Sequence, residues 1–414
     1  MMPAAATLRT SPTLHPFAMT DSAASPAWLS ASDCRVADLA ALVERRTLPS
    51  DAPSAAEIVK NVPVYDCAAL RAQLGTPGRA RALMAEWQHV FAEGPGIVAL
   101  RGAFADAGVV DRVSAHFREM IEDERAKGAN VDHFGGATGT NDRVWNALQK
   151  LAVRAPGAYA DYYANDMLAL ACEAWLGPNS QMTSQVNCVN PGGTAQAAHR
   201  DYHLGVLTVA QAEAYPAHVH RLSAVLTLQG AVAHVDMPLE SGPTLYLPHS
   251  QKYSHGYLVF DRPEFQACFD AQHVQLALEK GDAVFFNPAL LHAAGNNRTP
   301  DVRRLANLLQ VSSTFGRPME TVGRTGLARV LYPVLQAKIA AGEMDHAAAG
   351  RAITASLDGY GFPNNLDRDP PKVTLAPESQ QALARRALLR GWTPERFDAA
   401  VTEQARRRRT DGED

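Results

Sequence analysis

The spacing of apolar residues changes character twice along the chain. Between residues 80 and 176 it is mostly helical. Phe104–Lys127 aligns Val110, Val113, Phe117, Met120 and Ile121 on one face, which predicts an amphipathic helix. Tyr159–Leu176 repeats the pattern and stops at Gly177-Pro178, a helix terminator. One apolar run between glycines, Ile97-Val98-Ala99-Leu100, is too short for a helix and predicts a buried strand. From Met182 to Ser313 the chain breaks into short β-like runs bounded by turn residues. They are Met182–Asn190, His203–Val209, Leu222–Leu228, Thr244–Leu247, Val274–Leu278, Ala283–Asn287, Leu290–Ala294 and Arg303–Val311. Short strands without interleaved helices predict a jelly roll or barrel, not a doubly wound sheet.

Helical spacing returns after Arg317, over Gly326–Ala341, His346–Leu357 and Ser379–Leu389. Thr393-Pro394-Glu395 has the form of a helix start: a capping hydroxyl, proline at the first position and an acid in the first turn. Arg406–Arg409 then closes a solvated helix, where cations suit the C-terminal dipole. Residues 1–55 are rich in Ala, Ser, Thr and Pro, and Val36–Arg45 alone keeps periodicity, so this stretch reads as a largely flexible extension. The first twenty residues resemble a transit peptide only faintly, and a loose leader before Met19 is the preferred reading. The expected organisation is therefore a flexible extension over 1–55, a catalytic domain over 56–317 with its strand-rich core at about 180–313, and a helical extension over 318–414. The class is mixed α+β, with a cupin-like jelly-roll core flanked by N- and C-terminal helices.

Composition adds exclusions. Hydrophobic residues make up 46% and charged residues 20%, ordinary globular values that allow a large core. A net charge of −4 gives no reason to expect nucleic acid or an anionic membrane as partner. The five cysteines are odd in number, with no CxxC pair, which argues against a disulfide framework and for the cytoplasm. A small organic molecule is the expected partner.

Candidate chemistry lies in the strand-rich part. His199-Arg200-Asp201 follows the turn Pro191-Gly192-Gly193, and residues i and i+2 of an extended segment point to one side. One His and one Asp can then take adjacent positions on a metal, and a second His from elsewhere leaves three positions open, as O₂ chemistry at Fe(II) requires. His234-Val235-Asp236 is a competing pair. In a jelly roll holding iron this way, the first two ligands lie on the second strand and the last His on the seventh. Four predicted strands separate Asp201 from His292, but three separate Asp236 from it, which selects His199, Asp201 and His292. His249, His255 and His273 lack a comparable position. A cosubstrate with a distal carboxylate also needs a buried guanidinium. Arg298, Arg303 and Arg304 follow His292, and alternation along Val302–Val311 leaves Arg303 and Arg304 equal.

Three stretches, Asn187–Val206, Ser241–Tyr253 and Gly281–Arg304, resemble the phytanoyl-CoA dioxygenase family, in that family's order, within residues of about 85–315. The resemblance implies a double-stranded β-helix, Fe(II), 2-oxoglutarate and O₂, with the three ligands already chosen. It places the 2-oxoglutarate arginine eleven residues after the distal His, at Arg303, and polar cosubstrate contacts at Gln185 and Asn187. Arg200 and Ala294 depart from the usual residues. Asp201 is present where the family's halogenases carry a small residue, so hydroxylation of a C–H bond with release of succinate and CO₂ is expected. The rival expectations are a cupin-type metal enzyme that does not use 2-oxoglutarate, and an inactive jelly-roll binding protein. Arg143, Trp145, Arg200, His203 and His249 are candidates to face the substrate, on loops Gly135–Asn146, Ala210–Arg221 and His249–Pro263.

Overall fold

The structure, a computed structural model, describes residues 26–127, 140–371 and 375–410. Its strands are β1 Glu57–Val59, β2 Val62–Asp66, β3 Ile97–Arg101, β4 Asn141–Val144, β5 Gln181–Val189, β6 Thr227–Ala233, β7 Leu245–Tyr246, β8 Ala283–Phe286, β9 His292–Ala293 and β10 Arg304–Ser312. The predicted strand at Ile97 is present as β3. Eight strands form one sheet in the order β1-β2-β3-β8-β6-β10-β5-β4, and β7 pairs with β9 in a second. Among the described strands only β2 and β3 run parallel. Isolated antiparallel bridges widen the small sheet, joining His199 to His292 on one side and Tyr246 to Val274 on the other.

The large sheet is apolar on both faces, for different reasons. Leu305, Leu309 and Val311 of β10, Val186 of β5 and Phe285 of β8 pack into one core with the helices Ala107–Ala126, Pro156–Tyr163 and Arg324–Ala340. On the other face Ile97, Ala99, Val284 and Phe286 meet Tyr246 of the small sheet with Leu276 and Leu290 beside it. Burial on both sides is why β8 reads Ala-Val-Phe-Phe without alternation. The C-terminal helices join the first core: the rings of Tyr332 and Phe397 stack at 4.0 Å. Thr393 caps the last helix by accepting from the Arg396 N–H, as the sequence predicts. The mixed α/β class, with a large sheet and many helices, agrees with expectation.

Several element assignments change. His203–Val209 is not a strand but a 3-10 turn, His203–Val206, followed by a helix, Val209–Glu213. Thr208 and Gln211 form a capping box there, a local signal that outweighs the alternating pattern. Leu222–Leu228 splits between a helix, Ala217–Val225, and β6, with Pro216 at the helix start. Tyr159–Leu176 is two helices, because Asn165 caps a new one by accepting from the Leu168 N–H at 3.0 Å. Val274–Leu278 contributes bridges only. Residues 31–51 of the stretch expected to be loose carry short helices, and Leu39 and Val43 pack against Tyr253, Phe265 and Phe269. No helix among the described residues is long and apolar enough to cross a membrane.

The competing pair is absorbed by the helix–sheet core. His234 is buried between Ser114 Oγ at 2.8 Å and Tyr162 Oη at 2.9 Å. Burial, assisted by the charge of Arg118, pushes its pKa down to about 3. The unfolded chain takes up this proton near pH 6.5 and the folded chain does not, so the stability His234 confers is complete above pH 6.5 and falls as pH drops from there towards 3. We predict that His234→Asn flattens the pH dependence of the unfolding free energy between pH 6 and 4 by up to about 1.4 kcal/mol per pH unit, measured by denaturant titration. An unchanged slope contradicts the assignment.

Candidate metal centre

The pairing of two backbone segments assembles the site. The His199 N–H donates to the His292 carbonyl at 3.0 Å, and the His292 N–H returns the bond at 3.1 Å. Asp201 is two residues on, and its N–H donates to the Pro288 carbonyl at 3.3 Å. The three side chains converge, with ligand atoms all within 4.8 Å of one another, a cluster unique among the described residues. His199 Nδ1 lies 2.9 Å from the Ala197 carbonyl and His292 Nδ1 2.9 Å from the Leu290 carbonyl. A carbonyl only accepts, so each Nδ1 carries the proton and each Nε2 presents its lone pair. These Nε2 atoms lie 3.7 Å and 3.3 Å from the Asp201 carboxylate. Two imidazole nitrogens and one carboxylate oxygen, with tautomers fixed by backbone acceptors, fit an Fe(II) ion. His199 and Asp201 are 29% and 26% exposed against 7% for His292, so the cluster opens on the side of the HxD pair.

Electrostatics suit a metal. Burial alone raises the Asp201 carboxyl, but the facing His292 ring, with His199 and the Gln229 amide behind it, outweighs burial and holds the group well below the usual carboxylate range. Burial and the neighbouring His292 push His199 down, towards the neutral form a ligand needs. The Gln229 amide donates to Asp201 Oδ2. Sequence reasoning missed Gln229, although a glutamine inside Thr-Leu-Gln-Gly-Ala-Val-Ala is a polar residue in an apolar strand, and that is a readable signal. Phe286 meets the His292 ring edge-on at 4.8 Å, and Tyr246 meets Phe286 at 5.2 Å.

Arg303, the arginine that the resemblance points to, and its neighbour Arg304 are placed differently. Arg303 precedes β10 and is exposed, as is Arg298. Arg304 is 6% exposed, burial lowers its pKa to about 10, and its Nη1 meets no protein partner. The reason is register. Asn307 turns to the helical core, where its amide donates to Tyr162 and Tyr163, so Leu305 and Arg303 share that side and Arg304 faces the small sheet. Arg304 pairs with Val189, Ala306 with Asn187 and Leu308 with Gln185, which puts Gln185 and Asn187 on the same inner face. Gln185 accepts from Arg143 at 2.8 Å and donates to Gln310 at 3.3 Å.

The remaining candidates divide. Arg143 is inside, and its guanidinium lies 5.1 Å from the half-exposed Trp145 ring. Residues 135–139 of the loop Gly135–Asn146 lie outside the described residues. Arg200 points away from the cluster, donates to the Ser250 and Tyr253 carbonyls at 2.6 and 3.0 Å, and covers Tyr257. His203 touches Ser223 at 3.4 Å. His249 lies between Thr47 and Lys252, and burial and the lysine push it down to about 4.

The sequence profile described as Phytanoyl-CoA dioxygenase (PhyH) matches residues 92–305, over half of the chain. The chain belongs to that family, and with it to the iron- and 2-oxoglutarate-dependent oxygenases in general. Among curated proteins no relative matches the chain. Similar solved structures include the non-heme alpha ketoglutarate dependent epimerase SnoN from nogalamycin biosynthesis, at 20% identity, covering 56% of this chain and 82% of that one, with a TM-score of 0.38. The carbocyclase SnoK of the same biosynthesis has 19% identity over 60% and 92%, with a TM-score of 0.42. HygX from Streptomyces hygroscopicus, solved with nickel and 2-oxoglutarate, has 16% identity over 57% and 90%, with a TM-score of 0.37.

Two predictions test this construction. Gln229→Leu leaves the Asp201 carboxylate without its donor, and anaerobic Fe(II) titration should show affinity falling about 10- to 100-fold; unaltered affinity removes Gln229 from the site. A Cβ on Gly256 would stand 1.8 Å from Arg200 Cζ. Gly256→Ala should therefore cost about 2 kcal/mol or more in unfolding free energy, measured by denaturant titration.

Proposed function

We propose that the chain is an Fe(II)- and 2-oxoglutarate-dependent dioxygenase that hydroxylates a C–H bond of a small organic molecule in the cytoplasm. The observation that carries this reading is the His199-Asp201-His292 cluster on the small sheet together with the buried Arg304 guanidinium on the face of the large sheet turned towards it. A double-stranded β-helix is the architecture we assign to the core. In support, β5, β10, β6 and β8 are consecutive and antiparallel in the large sheet, and they face the segment of His199, then β9, β7 and the Val274 segment in the small one.

The chain's residues divide the work. His199, Asp201 and His292 would hold the metal, which when bound supplies O₂ activation. Arg304 receives the distal carboxylate of 2-oxoglutarate, because a buried cation without an anion is costly and its Nη1 meets no partner among the described residues. Gln185 and Asn187 flank that path from β5. Gln229 orients Asp201 so that both imidazoles share it. Phe286 and Tyr246 exclude water from the His292 side. The balance is R–H, O₂ and 2-oxoglutarate giving R–OH, succinate and CO₂.

Arg304→Ala should raise the KM for 2-oxoglutarate in succinate release by about 100-fold, the cost of leaving a buried carboxylate unpaired, while Arg303→Ala leaves it near the unaltered value. The reverse order would restore Arg303 as the anchor. His199→Ala and Asp201→Ala should each abolish both Fe(II) binding and succinate release; full turnover in either defeats the proposal.

A further inference from the structure

A cavity of about 490 Å³ lies on the helical side of the large sheet. The helices Asp166–Leu176, His346–Ser356 and Gln380–Leu389 wall it, and the buried Met182 and Tyr163 line it towards the sheet. Small residues make the room: Ala169 on the first helix, Ala347 and Gly350 on the second. Leu168, Ile353 and Leu388 make the walls apolar. Gly350 stands inside its helix, where glycine is a weaker choice than alanine. No clash demands it, because a Cβ there would meet only Arg385 Nε, at 3.7 Å. The glycine therefore keeps space open.

Two guanidinium groups line this apolar slot. Arg385 donates to the Gly350 carbonyl at 3.2 Å, the Thr354 hydroxyl at 2.5 Å and the Gln381 side chain at 3.4 Å. Burial lowers its pKa, and no acid counters that effect. Arg351 spends Nε on the Ala164 carbonyl at 2.6 Å, and its two Nη groups bond none of the described residues. Asp166 feels the charge of Arg351 but is already held by Arg71, at 2.9 and 2.8 Å. Glu173 also lines the cavity; it is exposed and pairs with neither arginine. Two cations thus face a largely apolar space without an anion among the described residues.

We propose that this cavity binds a medium-chain carboxylate, its head on Arg351 and its chain running past Gly350 between the helices. The unused end of the Arg351 guanidinium presents parallel N–H groups, the geometry that receives a carboxylate. Arg385 adds a second positive charge while keeping its own bonds. Apolar walls reward a hydrocarbon chain, a gain that a hydrated anion or a water molecule forgoes. An alkylammonium meets two like charges against the single exposed Glu173, and an uncharged chain leaves both guanidinium groups unmatched. Tyr163 meets Asn307 on the helical side of β10, whereas the His199-Asp201-His292 cluster belongs to the small sheet on the other side. The occupant is therefore a second ligand, not the molecule oxidised at the metal.

Calorimetry and saturation-transfer NMR on the full chain, without added metal, compare octanoate, octylamine and octan-1-ol. Octanoate should bind best. Arg351→Gln should weaken it by about tenfold or more, the cost of removing one partner of a charge pair. Gly350→Leu fills the slot and should abolish binding; because leucine favours a helix, this variant decides the matter even where losing the Arg351–Ala164 bond loosens the fold. Arg304→Ala removes the other buried cation open to a carboxylate and should leave octanoate affinity within about twofold, as a distant site does. No binding of octanoate, preference for the amine or the alcohol, binding unchanged by Arg351→Gln or by Gly350→Leu, or binding lost with Arg304→Ala overturns the inference.

Discussion

Everything at the candidate centre depends on one backbone pairing, the reciprocal hydrogen bonds between His199 and His292. That bridge brings residues 93 positions apart to adjacent places and sets which way each side chain faces. Because an extended chain alternates, placing His199 and Asp201 inward forces Arg200 outward into a buried position. The fold accommodates the arginine with backbone carbonyls and with glycines at 205 and 256, where any side chain would collide with it. Arg200, inside the HxD pair, is therefore a structural support of the two candidate ligands beside it.

The same alternation governs β10. Its odd positions serve the helical core, where Asn307 joins Tyr162 and Tyr163, and its even positions serve the space between the sheets, where Arg304 and Gln310 lie. One strand thus packs the helical core with one face and lines the space between the sheets with the other, separated only by parity. The helical side also captures His234, whose neighbours Ser114 and Tyr162 leave it no free nitrogen for a metal.

Much of this was legible in the sequence. The metal cluster required only the i, i+2 rule and a count of four runs, of which Leu222–Leu228 is partly helical in the structure and Val274–Leu278 makes bridges only. The count survived because the Leu222–Leu228 run still ends in β6, and the His203–Val209 run lies outside the interval's essential strands. The position of Arg304 was not legible. Both faces of Val302–Val311 carry apolar residues, and family spacing favoured Arg303; only the tyrosine pair across the helical core, distant in sequence, fixes the face. Gln185 and Asn187 were named by resemblance, and β5 brings both to the inner face. Gln229 was not named at all, since a single glutamine has no periodic signature. The packed segment at 36–43 was obscured by its alanine- and proline-rich surroundings.

The early segment has a kinetic side. The Ala217 N–H donates to the Ala27 carbonyl, Trp28 bridges Pro216, and the Glu213 carboxylate accepts from the Ala31 N–H and the Ser30 hydroxyl. These contacts clasp the helical insertion that follows Asp201, across separations of more than 180 residues. Closing so long a loop carries a large entropic cost before any contact rewards it, and contacts of that span slow folding. On a ribosome residues 27–31 emerge long before residues 213–217 exist, and by then β1 to β5 are already made, so the clasp can close before β6, β8 and β10 of the large sheet appear, and its assembly is limited by the return of the chain's beginning to the insertion.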